Sequence, residues 1–355
     1  DLVRAAVALC LPFVTEVWQI YLLIFVLQAA SAGFTPTFQA TIPDILPDEE
    51  DYTKALSLSR LAYDLESLIS PMLAAALLTV ISFHNLFAGT VLGFLVSAAL
   101  VVSVRLPTTI PGPRRGIWDR TTRGTRIYLA TPRLRGLLAI SLAVSAAGAM
   151  VIVNTVVLVK ARFGLGEVEV ASALAAFGGG SMVAAFVLPS LLEKVADRTA
   201  MLTGATVLVV GTGIGALLPS YALLLPLWLV IGFGYSVAQT PSGRLLRRSA
   251  HAEDRPAIFA AHFALSHACW LICYPLAGRF GAVMGLPSTF IVMSLVGLAG
   301  VALTLWLWPA SDPSDLAHDH PNLSADHPHL RQHANQGGHH HVLVVDDLHR
   351  IWPKG

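Results

Sequence analysis

Ten long apolar segments constrain the fold of this chain more than any other feature. A helix needs about 20 mostly apolar residues to cross the hydrocarbon core of a bilayer, where no water satisfies exposed backbone groups. Segments that meet this test lie at residues 2–17, 18–41, 55–82, 85–105, 134–160, 168–193, 199–218, 221–243, 256–284 and 286–308. The sequence therefore predicts an all-α integral membrane protein with ten transmembrane helices.

The composition agrees with a membrane location and argues against several other classes. Of the 355 residues, 55% are hydrophobic and 13% are charged, whereas soluble proteins average about 25% charged residues. The formal net charge of +1 gives no reason to expect a nucleic-acid partner. The three cysteines lie inside apolar segments, so a disulfide framework is not expected.

Arginines cluster in the connection between the fourth and fifth apolar segments. Against the single acid Asp119, this connection carries Arg105, Arg114, Arg115, Arg120, Arg123, Arg126, Arg133 and Arg135. Short loops rich in arginine and lysine stay on the cytoplasmic side of a membrane. We therefore expect a multi-pass protein of the bacterial inner membrane, with its C-terminus in the cytoplasm.

The sequence also contains an internal repeat. The stretch "FVLQAASAGFTPTFQA" (25–40) aligns with "VIGFGYSVAQTPSGRL" (230–245), and "LSRLAYDLESLISPMLA" (58–74) aligns with "HFALSHACWLICYPLAG" (262–278). Parallel repeats related by an axis along the membrane normal are typical of one large class of secondary transporters, whose substrate site lies between the repeats near mid-membrane.

On these repeat segments and on "ASAGFTPTFQATIPDILPDE" (30–49), the chain resembles the efflux branch of the major facilitator superfamily. The resemblance implies twelve transmembrane helices in two pseudo-symmetric halves. We identify the ten segments with helices 3–12 and expect two further helices to precede them. The expected units are residues 1–105 (rest of the N-terminal half), 106–133 (cytoplasmic linker), 134–309 (C-terminal half) and 310–355 (cytoplasmic tail).

The resemblance also implies a gating motif in the loop between the first two helices of each half. In the C-terminal half the corresponding loop reads "EKVADR" (193–198). Asp197 and Arg198 are the expected remnants of that motif.

Three charged residues lie within the third apolar segment. Such residues are costly in a bilayer and are functional candidates by default. Arg60 and Asp64 are spaced to share one helix face with Tyr63, whereas Glu66 points away from that face. In one interpretation Asp64 or Glu66 exchanges protons, with Arg60 holding Asp64 ionised; in the other, Arg60 and Asp64 form a structural pair.

The ninth apolar segment contains two histidines and two cysteines. At about 100° per residue, His262, Cys269 and Cys273 fall on one narrow stripe of groups that suit nickel, zinc or cobalt. The repeat, however, aligns His267 with Tyr63 and the stripe with apolar residues. We therefore predict that His267 lines the central cavity and that the stripe packs outward.

The tail differs from the rest of the chain because it is polar and rich in histidine. Its nine histidines are His318, His320, His327, His329, His333, His339, His340, His341 and His349. Imidazoles at irregular spacing, accompanied by aspartates, favour several partial sites for divalent metal ions over one rigid cage. The alternatives are a solvated inert tail or an expression tag.

We expect most of the tail to be disordered. Its apolar run "VLVVDDLHRIWP" (342–353) predicts a short strand or a docking segment that returns to the cytoplasmic face.

Within the superfamily, a histidine-rich cytoplasmic C-terminus resembles the nickel-resistance permeases. The resemblance implies proton-coupled export of a divalent metal ion, most of all nickel, with cobalt and zinc as further candidates. The alternative is export of a drug, metal chelate or siderophore, with the tail as a metal buffer. A third hypothesis is a metal receptor without transport. We expect a monomer in the lipid bilayer that exchanges protons, is not an enzyme and needs no resident cofactor, although the tail could bind metal.

Overall fold

The computed structural model describes residues 1–78, 80–103, 116–312, 315–317, 334–335, 338–349 and 352. The N-terminal half contains four helices: α1 (Leu2–Cys10, extended by a 3₁₀ turn, Leu11–Phe13), α2 (Val17–Ile45), α3 (Glu49–Leu77) and α4 (Phe83–Ser103). An amphipathic helix in the linker follows, α5 (Ile117–Ala130).

The C-terminal half contains seven helices: α6 (Pro132–Val157, extended by a π-helical turn, Leu158–Arg162), α7 (Glu167–Leu192), α8 (Asp197–Gly215), α9 (Tyr221–Gln239), α10 (Ser242–Arg248), α11 (Arg255–Met284) and α12 (Leu286–Leu307). The central helix α6 is buried along most of its length and anchors the main apolar core. The small residues on α6 allow neighbouring helices to approach closely.

Each of the ten apolar segments coincides with a helix, counting α1 together with its 3₁₀ turn. Within the described part of the chain, seven stretches are long and apolar enough to cross a membrane: those containing α2, α4, α6, α7, α9, α11 and α12. The helices of three segments are not among them: α1 is shorter, α3 carries several charges, and α8 begins with Asp197 and Arg198. The count of ten spans, out of an expected twelve, stays a prediction.

Two glycines show how closely the helices of the C-terminal half pack. A Cβ atom on Gly180 of α7 would lie 1.8 Å from the carbonyl oxygen of Leu229, and one on Gly232 of α9 would lie 1.8 Å from that of Phe177. Since no side chain fits at either position, α7 and α9 meet backbone to backbone. This contact fixes the position of α9 against α7.

The tail adds a small antiparallel sheet to the helices. Strand β3 (Gly338–Val342) pairs with β1 (Asp315–Ala317) on one side and with β2 (Ala334–Asn335) on the other. The bundle is all-helical, as expected, whereas the tail, expected to be mostly disordered, forms these described strands because β3 finds hydrogen-bonding partners on both edges. The apolar run predicted to dock begins where β3 ends, and Leu343, Val344 and Val345 are buried.

Candidate functional site

A cavity of about 560 Å³ lies between the two halves of the bundle. Its wall comes from α2 and α3 of the N-terminal half and from α6, α9, α10 and α11 of the C-terminal half. The repeat predicts this arrangement, since Thr35 aligns with Thr240 and both line the cavity. Tyr63 and His267, the other aligned pair, line it as well.

Arg60 is the only guanidinium on the described wall of this cavity, and it joins the two halves. Its Nη2 lies 2.8 Å from Oδ1 of Asp64 on the same helix. Its Nη1 donates to the side-chain oxygen of Gln239 at 3.0 Å, and its Nε donates to the hydroxyl of Ser181 at 3.2 Å. Arg60 of α3 is therefore bonded to both α7 and α9.

The two carboxylates predicted on α3 have different surroundings. The side chain of Asp64 is 5% exposed and lies behind Arg60, outside the cavity wall. Glu66 is exposed and also lies outside the wall. The structure thus brings Arg60, Tyr63 and Asp64 together and keeps Glu66 apart, as the helical spacing predicts.

Aromatic rings form much of the cavity wall. Tyr63, Tyr235, Phe263, Trp270 and Tyr274 all contribute. The guanidinium of Arg60 lies 4.7 Å from the ring centroid of Tyr235 and 5.4 Å from that of Tyr63. Neutral polar groups, including the amides Gln39 and Gln239, also line the cavity. Such a wall suits a ligand with both flat apolar surface and polar groups.

The structure places both histidines of α11 on the cavity wall. His267 lines the cavity, with its Nδ1 2.7 Å from the carbonyl oxygen of Phe263. His262, predicted to face outward, lines the cavity too. The cavity spans a wider arc of α11 than one helical stripe, so both imidazoles reach it. Cys269 and Cys273 are buried away from the wall, with the hydroxyl of Ser145 lying 3.5 Å from Sγ of Cys273.

Sequence reasoning missed several other residues of the wall. The amides Gln39 and Gln239 are polar groups inside apolar segments, which is a signal that could have identified them. Trp270 and Tyr274 carry no such signal, because aromatic residues are common in spans that face lipid or other helices.

Ion pairs join the two halves at the end of the bundle that carries the linker, which we call the linker end. Arg244 of α10 lies 2.5 Å from Glu49, and Arg255 of α11 lies 2.6 Å from Asp44. Arg247 donates to the carbonyl oxygen of Pro47. These contacts join the N-terminal half to the C-terminal half on one side of the cavity.

The two predicted gating residues, Asp197 and Arg198, have different partners at the linker end. Oδ1 of Asp197 lies 3.2 Å from Nε of Arg244, so Asp197 supports an arginine that crosses between the halves. Nε of Arg198 instead donates to the carbonyl oxygen of Trp308, at the end of α12, at 3.0 Å. Asp197 therefore takes part in the contacts at the linker end, whereas Arg198 connects α8 to α12.

Five of the predicted metal-binding histidines, His318, His320, His327, His329 and His333, lie outside the described residues. The backbone of His339, His340 and His341 forms part of β3. Across residues 1–78, 80–103, 116–312 and the described parts of the tail, no group of three or more histidine, cysteine or acidic side chains is arranged to hold a metal ion.

The last tail histidine, His349, is buried where the tail meets the linker end. Its Nδ1 lies 2.9 Å from Oδ1 of Asp346, and Nε2 of His251 lies 3.4 Å from the other oxygen of the same carboxylate. Burial alone would raise the pKa of Asp346, but the hydrogen bonds from His251 and His349 hold that pKa well below its ordinary value. The hydrogen bond to Asp346 in turn raises the pKa of His251.

Comparison with known families gives a match over most of the chain. The sequence matches the Major Facilitator Superfamily over residues 2–150 and 137–326. Macrolide efflux protein A of Enterococcus faecalis is 30% identical over 112 residues, which cover 30% of this chain and 34% of that protein. Macrolide efflux protein A of Streptococcus pyogenes shows the same identity over 27% of its length. The chain thus matches about a third or less of the length of these relatives.

Among solved structures, the fold is similar to that in the crystal structure of a bacterial homologue of the iron transporter ferroportin in the outward-facing state. The TM-score is 0.59 at 18% sequence identity, and the similarity covers 85% of this chain and 78% of that chain. The two proteins share a fold.

Proposed function

The chain belongs to the major facilitator superfamily, a family of membrane transporters, and from that premise we propose that it exports an amphipathic organic molecule through the central cavity. The observation that carries this proposal is the cavity itself. Its volume of about 560 Å³ lies within the range of about 300–1,000 Å³ typical of sites for drug-sized ligands.

The chemistry of the wall supports the same class of substrate. Six aromatic rings, the five named above and that of Phe259, offer flat apolar surface, while amide and hydroxyl groups offer hydrogen bonds without net charge. The charge of Arg60 is balanced by Asp64. The regional similarity to macrolide efflux proteins, whose names specify an organic substrate, points in the same direction.

The regional similarity to efflux proteins supports export as the direction of transport, and the contacts at the linker end fit one stage of such a cycle. The arginine excess of the linker makes this end cytoplasmic. Arg244 and Arg255 join the two halves there by pairing with Glu49 and Asp44. Contacts between the halves at the cytoplasmic end are expected while a substrate is released outside.

Proton antiport is the proposed source of energy. Asp64 is buried in the third predicted span and is held as an ion pair by Arg60. Protonation of Asp64 would release Arg60 from that pair, and Arg60 also bonds Ser181 and Gln239 of the other half. One proton could thereby change the contacts between the two halves.

Export of a divalent metal ion, most of all nickel and otherwise cobalt or zinc, is the second candidate. The imidazoles of His262 and His267 on the cavity wall and the nine histidines of the tail favour it. In this proposal the tail would collect the metal for the cavity. In the first proposal, the tail buffers metal independently of transport, or the substrate is a metal chelate.

Inverted membrane vesicles that contain the intact protein test both candidates. Under an imposed proton gradient, we expect uptake of radiolabelled erythromycin, a macrolide, and no gradient-dependent uptake in an Asp64→Asn variant. Uptake of radioactive nickel without erythromycin would replace the first candidate by the second. Uptake of neither probe, nor of cobalt, zinc or a panel of cationic dyes, would contradict an exporter.

A further inference from the structure

The linker helix α5 rests directly on α11, the helix that supplies both cavity histidines. A Cβ atom on Gly124 would lie 2.0 Å from the carbonyl oxygen of Ala257, so the two backbones touch at this point. One residue earlier, the guanidinium of Arg123 makes two bonds to the carboxylate of Asp254, at 2.5 Å and 2.7 Å. A bidentate pair of this kind fixes orientation as well as distance.

The same face of α5 carries a fully buried tyrosine that reaches His262, the cavity histidine predicted to face outward. The hydroxyl oxygen of Tyr128 lies 3.0 Å from Nδ1 of His262. The two rings are nearly parallel, with an interplanar angle of 18°. Because Tyr128 engages Nδ1, Nε2 is the ring nitrogen left to meet a substrate.

The docked tail contacts α5 and the start of α6. Oδ1 of Asp347 lies 2.7 Å from Nη1 of Arg123, the residue that also binds Asp254. Val345 packs into the main apolar core, and the ring of Trp352 lies 4.9 Å from the guanidinium carbon of Arg133, just beyond the end of α5. The helix α5 therefore contacts both α11 and the tail through Arg123.

We infer that α5 is part of the substrate site, with Tyr128 as a positioning residue that orients the imidazole of His262 towards a substrate in the cavity. This inference deepens the proposed function and rests on it. The linker between the halves then does more than connect them, because one of its side chains sets the geometry of the cavity wall. A misplaced imidazole would bind substrate less well while leaving the transport cycle itself intact.

The test is the substitution Tyr128→Phe, which keeps the buried ring and removes the hydroxyl. In the vesicle assay with erythromycin and with nickel, we expect the KM of the transported probe to rise about 3- to 10-fold, as for the loss of one hydrogen bond. The maximal rate should stay unchanged, and the melting temperature of the purified protein should move little.

A double-mutant comparison separates positioning from general packing. In a His262→Ala background, Tyr128→Phe should change KM no further, because its effect passes through the imidazole. An equal effect in both backgrounds, or an unchanged KM in Tyr128→Phe alone, would overturn the inference.

The contact at Gly124 gives an independent test with a matched control. Gly124→Ala forces α5 away from α11 and should raise KM in the same direction. Gly116→Ala, at the start of the same helix, adds a Cβ with nothing within 4 Å and should have no effect. An unchanged KM in Gly124→Ala would contradict the role of α5.

Absence of transport of both probes by the wild type would overturn the proposed function, whereas normal wild-type transport with unaffected variants would overturn this inference alone.

Discussion

The central cavity and the docked end of the tail both contain histidine, in opposite surroundings. His262 and His267 face an open space of about 560 Å³ among aromatic rings. His349 is buried and bound to Asp346, within a turn that seals against the linker end. The same imidazole group thus borders a substrate space in one region and fastens two segments of the chain together in the other.

The difference shows that a residue type in a pattern does not identify a role by itself. Nine tail histidines make a strong compositional signal for metal, yet His349 binds Asp346 and holds the tail in place. In the cavity, two histidines make a weak signal, and the helices place both on the wall. If this comparison is right, variants of the cavity should affect transport far more than variants of the tail.

The largest effect should come from Arg60→Ala. Removing the guanidinium breaks the bonds to Ser181 and Gln239 and leaves the buried carboxylate of Asp64 without its partner. Breaking a buried ion pair on one side costs about 3–5 kcal/mol. We expect loss of transport and a lower melting temperature. Lys54→Ala on the same helix, which breaks an exposed pair with Glu50, is the matched control and should change neither. Normal transport by Arg60→Ala would mean that the cavity centre is not where substrate is handled.

A smaller effect should follow from Val345→Asp. The substitution buries a carboxylate among apolar side chains, so the tail should detach from the linker end. Limited proteolysis should then cleave the tail much faster, while erythromycin transport falls only a few-fold. Leu348→Asp, at an exposed position of the same segment, should leave the tail docked. Complete loss of transport in Val345→Asp would show that transport requires the docked tail as much as it requires the cavity.

Replacing the eight histidines from His318 to His341 with asparagine should change transport of an organic substrate least of all. Binding of nickel to the purified protein should drop in stoichiometry, because imidazoles are the main ligands removed. A parallel loss of erythromycin export would show that tail and cavity act together in transport.

The pH dependence of tail docking gives the smallest predicted effect. Asp346 raises the pKa of His251. The stabilisation that His251 gives to the docked tail is therefore complete below the ordinary pKa of 6.5 and is lost as pH rises through the raised pKa. The pKa of Asp346 is lowered, so the stabilisation that its carboxylate gives to the docked tail is complete above pH 3.8 and is lost as pH falls below that value. Proteolysis of the tail should therefore be slowest between these two values. In His251→Gln the increase on the alkaline side should disappear; if it persists, another group is responsible.

Much of this architecture follows from the sequence because it depends on local physics. The length of apolar segments predicts the helices, and the four-residue spacing predicts that Arg60 pairs with Asp64. The repeat predicts that Tyr63 and His267 face one shared space. None of these inferences requires knowing which helices are neighbours.

The remaining features depend on contacts between distant segments, which no local pattern encodes. Arg60 meets Ser181 and Gln239, more than 100 residues away. His262 looked like part of an outward stripe, because its partner Tyr128 lies on a separate helix in the linker. The docking of the tail was predicted from its apolar run, but the pairing of β3 with β1 was not.

Calorimetric titration of the purified, intact protein with erythromycin tests the central claim most directly. Trp270 lines the cavity, whereas Trp306 is 79% exposed outside it. We expect binding of one molecule per protein, weakened at least tenfold by Trp270→Ala and unchanged by Trp306→Ala or by the asparagine-substituted tail. An affinity for erythromycin that is unchanged in Trp270→Ala, or that is lost with the tail histidines, would contradict binding of an amphipathic organic substrate in the cavity.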